Sequence, residues 1–357
     1  VLKPGCGWLP PSWMPEASMR RALRQVARGD AATLCDYGSP LGLAALRVLL
    51  ARRMVGAGIA ARPEQVLLVE SGTQALDLVC RFLLEPGDTV LVDDPCYFNF
   101  HALLRAHRVQ VVSVPYTPEG PALEAFAEVL RTQVPRLYIT NSGLHNPTGA
   151  TLAPRIAHQV LKLSEQAGTW IVEDDIFADF ETTPAARLAA FDGLARVIHV
   201  GSFSKTLSAS MRCGYIAARA DWIDDLADLR VATSFGGGRL ASEVLLAALT
   251  DGGYRRHIER LRLRLAVERR RVIERLAPLG IVPWHVPDAG MFLWCRLPQG
   301  RLAAPLAQHG LAHGVVLAPG NAFSPTQRAE DCMRFNVAQC GAPRIFEVLA
   351  DGLARQG

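Results

Sequence analysis

Lysine is scarce in this sequence, so chemistry that requires an amine has few candidates. Lys3, Lys162 and Lys205 are the only lysines among 38 basic residues. Lys205 lies in the hydroxyl-rich segment Gly201–Ser208, directly after an apolar run. A free lysine has a pKa of ~10.4, so a reactive amine must be desolvated or held near positive charge. Lys205 is therefore either a Schiff-base lysine or an ordinary exposed loop residue, whereas Lys162 fits the solvated face of a helix.

Two further segments have groups that suit a phosphorylated ligand. Ser71, Gly72 and Thr73 lie where a predicted strand ends and a helix begins, and the free N–H groups of a helix start attract anions. The same residues also fit an ordinary helix cap. Glu173–Asp179 is an acidic segment at the carboxyl end of a predicted central strand, the edge at which open α/β sheets bind ligands. It would equally suit Mg²⁺ or a helix cap, and the sequence singles out no set of metal ligands, so no metal site is predicted.

Asn146 and Arg334 complete the set of candidate residues. Asn146 lies in the turn-forming segment Leu144–Gly149, for which a purely structural role is the alternative. Arg334 lies in an apolar run near the C-terminus, and a buried guanidinium requires a partner such as a carboxylate. That carboxylate would belong either to a ligand or to an internal Asp or Glu.

Composition excludes several classes of protein. The chain has 357 residues, 50% of them hydrophobic and 20% charged, with a formal net charge of +4. These values are typical of a folded globular chain and exclude a disordered one, and the small basic excess gives no reason to expect nucleic-acid binding by the whole chain. The sequence shows neither a membrane span nor a signal peptide, so we expect a cytoplasmic protein. Eight cysteines without a C-x-x-C pair are expected to be small buried residues.

The order of predicted elements indicates an α/β protein with two parts. Strands are predicted at 66–70, 89–93, 109–114, 136–140, 170–174, 197–201 and 213–217, and helices at 74–84 and 154–167 between them. Strands that alternate with helices predict a mostly parallel, seven-stranded sheet covered by helices on both faces. Short strands at 281–284, 291–296 and 315–318 predict a smaller α+β domain. The arginine-rich stretch 255–275 has apolar residues at helical spacing, which favours an amphipathic helix over a DNA-binding segment.

The order of these segments resembles that of the fold-type-I aminotransferases (class I/II), which depend on pyridoxal 5′-phosphate (PLP). Three segments resemble more narrowly the aminotransferase-like domain of MocR-type regulators in the GntR superfamily: Gly5–Pro10, Glu173–Ile176 and Gly201–Ser208. In those regulators a winged helix-turn-helix precedes the PLP domain. That module is missing from this chain, which begins at Val1, so we expect a piece of a longer protein.

The resemblance implies a role for each candidate residue. Lys205 would hold PLP as an internal aldimine and move the catalytic proton, and Asp174 would pair with the pyridine nitrogen. Arg334 would bind the substrate carboxylate. The remaining cofactor contacts would come from Ser71, Gly72, Thr73, Ser202, Ser204 and Arg212 at the phosphate, Tyr97 on the ring, Asn146 at the phenolic oxygen, and Tyr37 reaching the partner subunit of a homodimer.

One residue departs from the pattern of the family. Relatives have a tyrosine two or three residues after the aspartate, and it donates a hydrogen bond to the phenolic oxygen. Here these positions are Ile176 and Phe177. Losing this donor would raise the pKa of the imine and slow turnover unless another donor replaces it.

The resemblance therefore leaves three functions open. The first is amino transfer between an amino acid and a 2-oxo acid; the second is a PLP domain that senses an amino acid or amine effector and acts on DNA only through the missing module. Decarboxylation or β-elimination on the same cofactor is a third. We expect residues 1–35 to form an N-terminal arm and part of the small domain, 36–250 the large PLP-binding domain, and 251–357 the small C-terminal domain.

Overall fold

The computed structural model describes residues 1–356. Its helices are α1 (Glu16–Ala27), α2 (Ala31–Cys35), α3 (Ala44–Gly56), α4 (Gly72–Leu83), α5 (Phe98–Ala106), α6 (Leu123–Gln133), α7 (Pro154–Ala167), α8 (Leu188–Asp192), α9 (Ala220–Ser234), α10 (Arg239–Thr250), α11 (Gly253–Leu276), α12 (Ala303–Ala312) and α13 (Pro343–Ala354). Its strands are β1 (Val66–Val69), β2 (Thr89–Asp94), β3 (Gln110–Thr117), β4 (Gly120–Pro121), β5 (Leu137–Thr140), β6 (Trp170–Asp174), β7 (Val197–Ser202), β8 (Gly214–Ala217), β9 (Val282–Pro283), β10 (Phe292–Arg296), β11 (Ala318–Pro319) and β12 (Cys332–Asn336).

The large sheet has the strand order β1-β8-β7-β6-β5-β2-β3-β4. Strands β7, β6, β5, β2 and β3 are parallel neighbours, and β8 runs antiparallel between β1 and β7. The α/β class and the mostly parallel sheet are confirmed. The predicted number of seven strands was one too low, because the two-residue β4 pairs with the end of β3 in a tight hairpin that has no apolar run of its own.

The central strands are apolar because helices cover both faces of the sheet. Strands β1 and β5 are buried along their whole length, as is β6 apart from Trp170. Their side chains enter two separate apolar clusters, one on each face, in which Leu68 and Tyr138 belong to one cluster and Leu67 and Ile139 to the other. Successive side chains of a strand point to opposite faces, so this division follows from the extended backbone.

A second, antiparallel sheet has the order β11-β12-β10-β9. The predicted strand at 315–318 was wrong in its bounds: Val315 makes an isolated bridge to Leu2, and only Ala318 and Pro319 form β11. This bridge, with the hydrogen bond from the Asn336 amide to the Pro4 carbonyl (2.7 Å), fastens the N-terminal arm beside the small sheet.

The arginine-rich stretch and the cysteines test two further expectations. Helix α11 buries Ile258, Leu261 and Leu265 on one face, which confirms the amphipathic interpretation of the arginine-rich stretch. Seven of the eight cysteines are buried, but Cys35 is exposed, so the expectation was wrong at that position. Among residues 1–356, no helix combines the length and apolarity needed to cross a membrane.

The backbone is closely packed around Gly320, beside the small sheet. A Cβ atom at this residue would lie 2.1 Å from the Ala329 carbonyl oxygen and 2.7 Å from that of Cys332, and backbone atoms cannot easily move away. We expect Gly320→Ala to lower the free energy of unfolding by ~1–3 kcal/mol, as overpacked substitutions do. Thermal unfolding measures the effect, and Gly56→Ala is the matched control, because nothing lies within 4 Å of a Cβ atom there. Equal melting temperatures for Gly320→Ala and the unsubstituted chain would contradict this packing.

Candidate active site

Four of the predicted residues line one cavity of about 300 Å³: Tyr97, Asn146, Lys205 and Arg334. They come from the loops that follow β2, β5 and β7 and from the small-sheet strand β12. The first three are at the carboxyl ends of parallel strands, where ligands of such sheets bind. The cavity therefore forms where the large sheet and the small sheet meet.

Arg334 is a buried cation without a carboxylate partner. Its side chain lies between the faces of Phe292 and Phe323, with the guanidinium carbon 4.3 Å and 4.6 Å from the two ring centroids. Nη1 donates to Asn146 Oδ1 and Nη2 to the Gly5 carbonyl, both at 2.8 Å, while Nε has no partner among the described residues. Burial lowers the pKa of Arg334 to about 10. The internal ion pair considered from the sequence does not occur within residues 1–356, and the charge remains available to an anion that enters the cavity.

Lys205 has the environment that a reactive amine needs. Its Nζ donates to the Gly7 carbonyl at 2.9 Å. Burial, and next the positive charge of Arg334, lower the pKa of Lys205, and Asp174 partly opposes this effect. A lower pKa raises the fraction of neutral, nucleophilic amine at neutral pH.

Asp174 is buried at the end of β6 with almost no hydrogen bonds to its carboxylate. The carboxylate accepts a hydrogen bond from the Ile176 amide at 3.4 Å, and Asn141 donates to the backbone carbonyl of Asp174 at 3.0 Å. Burial raises the pKa of Asp174 to about 7. A buried carboxylate that lacks a cation is costly, so this site would be stabilised by a ligand with a positive N–H group.

The residues predicted for the phosphate also come together. Ser71 caps α4 by accepting a hydrogen bond from the Gln74 amide at 3.0 Å. The other N–H groups of the first turn have no acceptor within the helix, as at any helix start. Ser202 pairs with Gly214 in the sheet, and a Cβ atom at Gly214 would lie 3.2 Å from the Gly72 nitrogen. Gly214 therefore lets β7, β8 and the start of α4 approach closely.

Two hydroxyls and an arginine complete this corner. The Ser202 and Ser204 hydroxyls are 2.8 Å apart, and Ser202 also donates to the Cys213 carbonyl at 3.3 Å. Arg212 immediately precedes Cys213, in a left-handed conformation with φ of 43°. Together with Thr73 on the first turn of α4, these groups provide the hydroxyls, amides and positive charge that a phosphate requires.

Tyr37 is not part of this cavity. Its side chain is 82% exposed and packs edge to face on Phe235, with 5.0 Å between the ring centroids. Phe177, in contrast, lines the cavity and packs against Phe292 at 5.5 Å. Neither Phe177 nor its neighbour Ile176 has a hydroxyl. The tyrosine that relatives have is therefore replaced by a hydrocarbon side chain at the cavity wall.

The sequence did not predict the part played by the N-terminal arm. Gly5 and Gly7 provide the carbonyl oxygens that hold Arg334 and Lys205, and Asn336 fixes the arm by donating to the Cys6 and Trp8 carbonyls at 3.0 and 2.8 Å. A signal was available in the glycine at position 5, which marks a close approach: a Cβ atom there would lie 2.4 Å from the Ala318 nitrogen.

The polar groups in and around the cavity fit PLP. PLP has an aldehyde for an amine, a pyridine nitrogen for a carboxylate and a phosphate for a helix start. Lys205, Asp174 and Ser71 with its neighbours offer these partners in one region, and Asp174 lacks a cation of its own among the described residues.

Comparison with known proteins agrees with this chemistry. Residues 10–350 match the model of the family "Aminotransferase class I and II". The chain is 30% identical to a 2-aminoadipate transaminase of Thermus thermophilus over 98% of this chain and 88% of that protein. It is 27% identical to YdfD of Bacillus subtilis, an uncharacterized HTH-type transcriptional regulator, over 87% of this chain. The match spans 65% of the length of YdfD.

A solved structure extends the likeness to the whole fold. The α-aminoadipate aminotransferase LysN of Thermus thermophilus, complexed with N-(5′-phosphopyridoxyl)-L-leucine, superposes with a TM-score of 0.91 at 26% identity. The superposition covers 100% of this chain and 92% of LysN. The fold-type-I architecture is therefore confirmed.

The unusual pKa of Asp174 gives a testable pH dependence. In the cofactor-free chain its folded pKa of about 7 lies above the ordinary value of 3.8, so the proton stabilises the folded state most fully below that ordinary value. That contribution is lost as pH rises through about 7. Thermal unfolding at about pH 5 and about pH 8 should show that Asp174→Asn gains melting temperature relative to the unsubstituted chain at the higher pH. Asp224→Asn, an exposed position on α9, is the control; a difference independent of pH for Asp174→Asn would refute the assignment.

Proposed function

We propose that this chain, which belongs to the aminotransferase class I and II family, transfers an amino group between an amino acid and a 2-oxo acid with PLP held at Lys205. One observation carries the proposal: the guanidinium of Arg334 is buried, has no carboxylate partner among the described residues, and faces the same cavity as the Lys205 amine. An amino acid substrate has a partner for each group. Its carboxylate would pair with the Arg334 guanidinium, and its α-amino group would reach the Lys205 amine.

The bound cofactor would supply an electron sink for the pair of electrons left when the α-proton departs. Asp174 would hold a proton on the pyridine nitrogen, which keeps that sink electron-poor. The phosphate would be bound by Ser71, Gly72, Thr73, Ser202, Ser204 and Arg212.

Lys205 Nζ would take the proton from the substrate α-carbon and hold it on the amine. The hydrogen bond to the Gly7 carbonyl places the amine beside the N-terminal arm. The lowered pKa of Lys205 raises the fraction of neutral amine, which can act as a base near neutral pH. Arg334 would orient the substrate through its carboxylate, and Tyr97 would contact the cofactor ring from the cavity wall.

Asn146 would still offer one donor to the phenolic oxygen, although Phe177 offers none. Its Oδ1 accepts from Arg334, and its Nδ2 group would donate to an oxygen in the cavity. One side chain would thus link substrate carboxylate binding to the phenolic oxygen of the cofactor.

The proposal includes a homodimer. Tyr37 and Phe235 form an exposed aromatic pair next to the start of α10, and their exposure supports a role in contact with a second copy. Tyr37 would then reach the phosphate of the partner's site.

Arg334 is the residue to substitute in an activity assay. We expect Arg334→Ala to raise KM for the amino acid by roughly 10- to 100-fold, because a hydrogen-bonded charge is worth ~1.5–3 kcal/mol. The PLP absorbance should remain. Arg296→Ala, an exposed arginine on β10, is the matched control. An unchanged KM for Arg334→Ala with PLP bound would remove this residue from substrate binding.

A second candidate function is the sensing of an amino acid or amine by the PLP domain of a MocR-type regulator. It is favoured by Phe177, which removes a catalytic hydrogen-bond donor, and by the likeness to YdfD. Ligand binding would then shift the population of two conformations and so change DNA affinity through a further domain.

Turnover distinguishes the two functions. We expect repeated release of 2-oxo acid when the PLP-loaded chain is given an amino acid and an excess of an oxo-acid acceptor, as measured by chromatography. More than one equivalent per chain supports the enzyme. Spectral changes of the cofactor without more than one equivalent of product would contradict it and support the sensor.

A further inference from the structure

A cluster of metal-binding side chains lies on the surface where α12 packs against α13, away from the proposed active site. It consists of His309 on α12, His313 directly after this helix, and Asp351 on α13. One ligand atom from each residue lies within 4.8 Å of the other two. The four-residue spacing places both imidazoles on one face of the helical turn, and their ring centroids are 4.2 Å apart.

The backbone fixes which nitrogen of His313 is available. Its Nδ1 lies 2.9 Å from the His309 carbonyl oxygen, which can only accept a hydrogen bond. Nδ1 therefore holds the proton in the neutral ring, and Nε2 keeps its lone pair. A hydrogen bond from the second ring nitrogen to a backbone carbonyl is the arrangement that orients metal-bound histidines.

His309 is held in place by the opposite helix. A Cβ atom at Gly352 would lie 2.8 Å from Cδ2 of this ring, so the glycine leaves the space that the imidazole occupies. The Nε2 atom lies 3.0 Å from Asp351 Oδ2, yet it is buried and makes no hydrogen bond with the described residues. This separation is close to the ~3.3 Å between two ligand atoms of a tetrahedral ion with bonds of ~2.0–2.1 Å.

One cation already contacts the carboxylate, and it is a weak competitor. Arg355 Nε donates to Asp351 Oδ2 at 3.0 Å, but its side chain is 66% exposed. Exposed ion pairs of this kind contribute little to stability. The second carboxylate oxygen has no partner among the described residues.

We propose that His309, His313 and Asp351 bind a divalent transition-metal ion such as Zn²⁺ and thereby join α12 to α13. Two imidazoles and a carboxylate are a ligand set that suits Zn²⁺, and water would complete a four-coordinate site. An ion would draw together the three ligand atoms, which lie within 4.8 Å of one another. The ion has no role in amino transfer, so this site is independent of the proposed function.

Titration calorimetry of the PLP-loaded chain with ZnCl₂ tests the site. We expect one Zn²⁺ per chain, affinity weakened about tenfold or more in His313→Ala and in Asp351→Asn, and unchanged affinity in His158→Ala. His158 is the control because it is an exposed histidine on α7. Both test positions are exposed, so the variants should fold, which circular dichroism checks.

A second readout reports the proposed link between the helices. Zn²⁺ should raise the melting temperature of the unsubstituted chain and of His158→Ala, because an ion that binds only the folded state stabilises it. It should not do so for His313→Ala. Absence of Zn²⁺ binding by the unsubstituted chain, or equal binding by His313→Ala, would overturn the proposal whatever the amino-transfer assay shows.

Discussion

Two buried side chains of opposite charge that lack ionic partners determine what this structure can do. The Arg334 guanidinium and the Asp174 carboxylate are both almost fully enclosed, and neither has an ion-pair partner within residues 1–356. Leaving a charge buried and unpaired costs several kcal/mol. A ligand with a carboxylate and a cationic nitrogen would reduce this cost at both positions, and Lys205 lies within electrostatic reach of each charge.

The rest of the architecture brings these two charges into one region at the edge of the large sheet. Parallel strands place Asp174 and the loops carrying Asn146 and Lys205 along one edge of the large sheet. Strand β12 brings Arg334 to that edge, and pairing with β10 sets its position opposite Trp294. The arm then closes the space, with its backbone carbonyls satisfying both cations. Arg334 is thus held by contacts with residues 188 and 329 positions away in the chain.

Local patterns were sufficient to predict most of the large sheet and the helices that cover it. Helix α7 and strand β6 begin and end at the predicted residues, because each has a clear period and clear breakers. The small sheet was predicted less well, since two-residue strands such as β11 depend on distant pairing partners rather than on their own residues. The contribution of the arm was likewise missed, because backbone carbonyls have no sequence signature and Gly5 indicates only a close approach. The His309 and His313 spacing was visible, but only the packing of α13 brings Asp351 to it.

The most direct test of the account is chemical trapping at Lys205. The chain would be incubated with PLP, reduced with borohydride, digested and examined by mass spectrometry, with only three lysines to distinguish. The account predicts one phosphopyridoxyl increment, on the peptide that contains Lys205, and none on the exposed Lys162. A label distributed over all three lysines, or no label at Lys205, would contradict it.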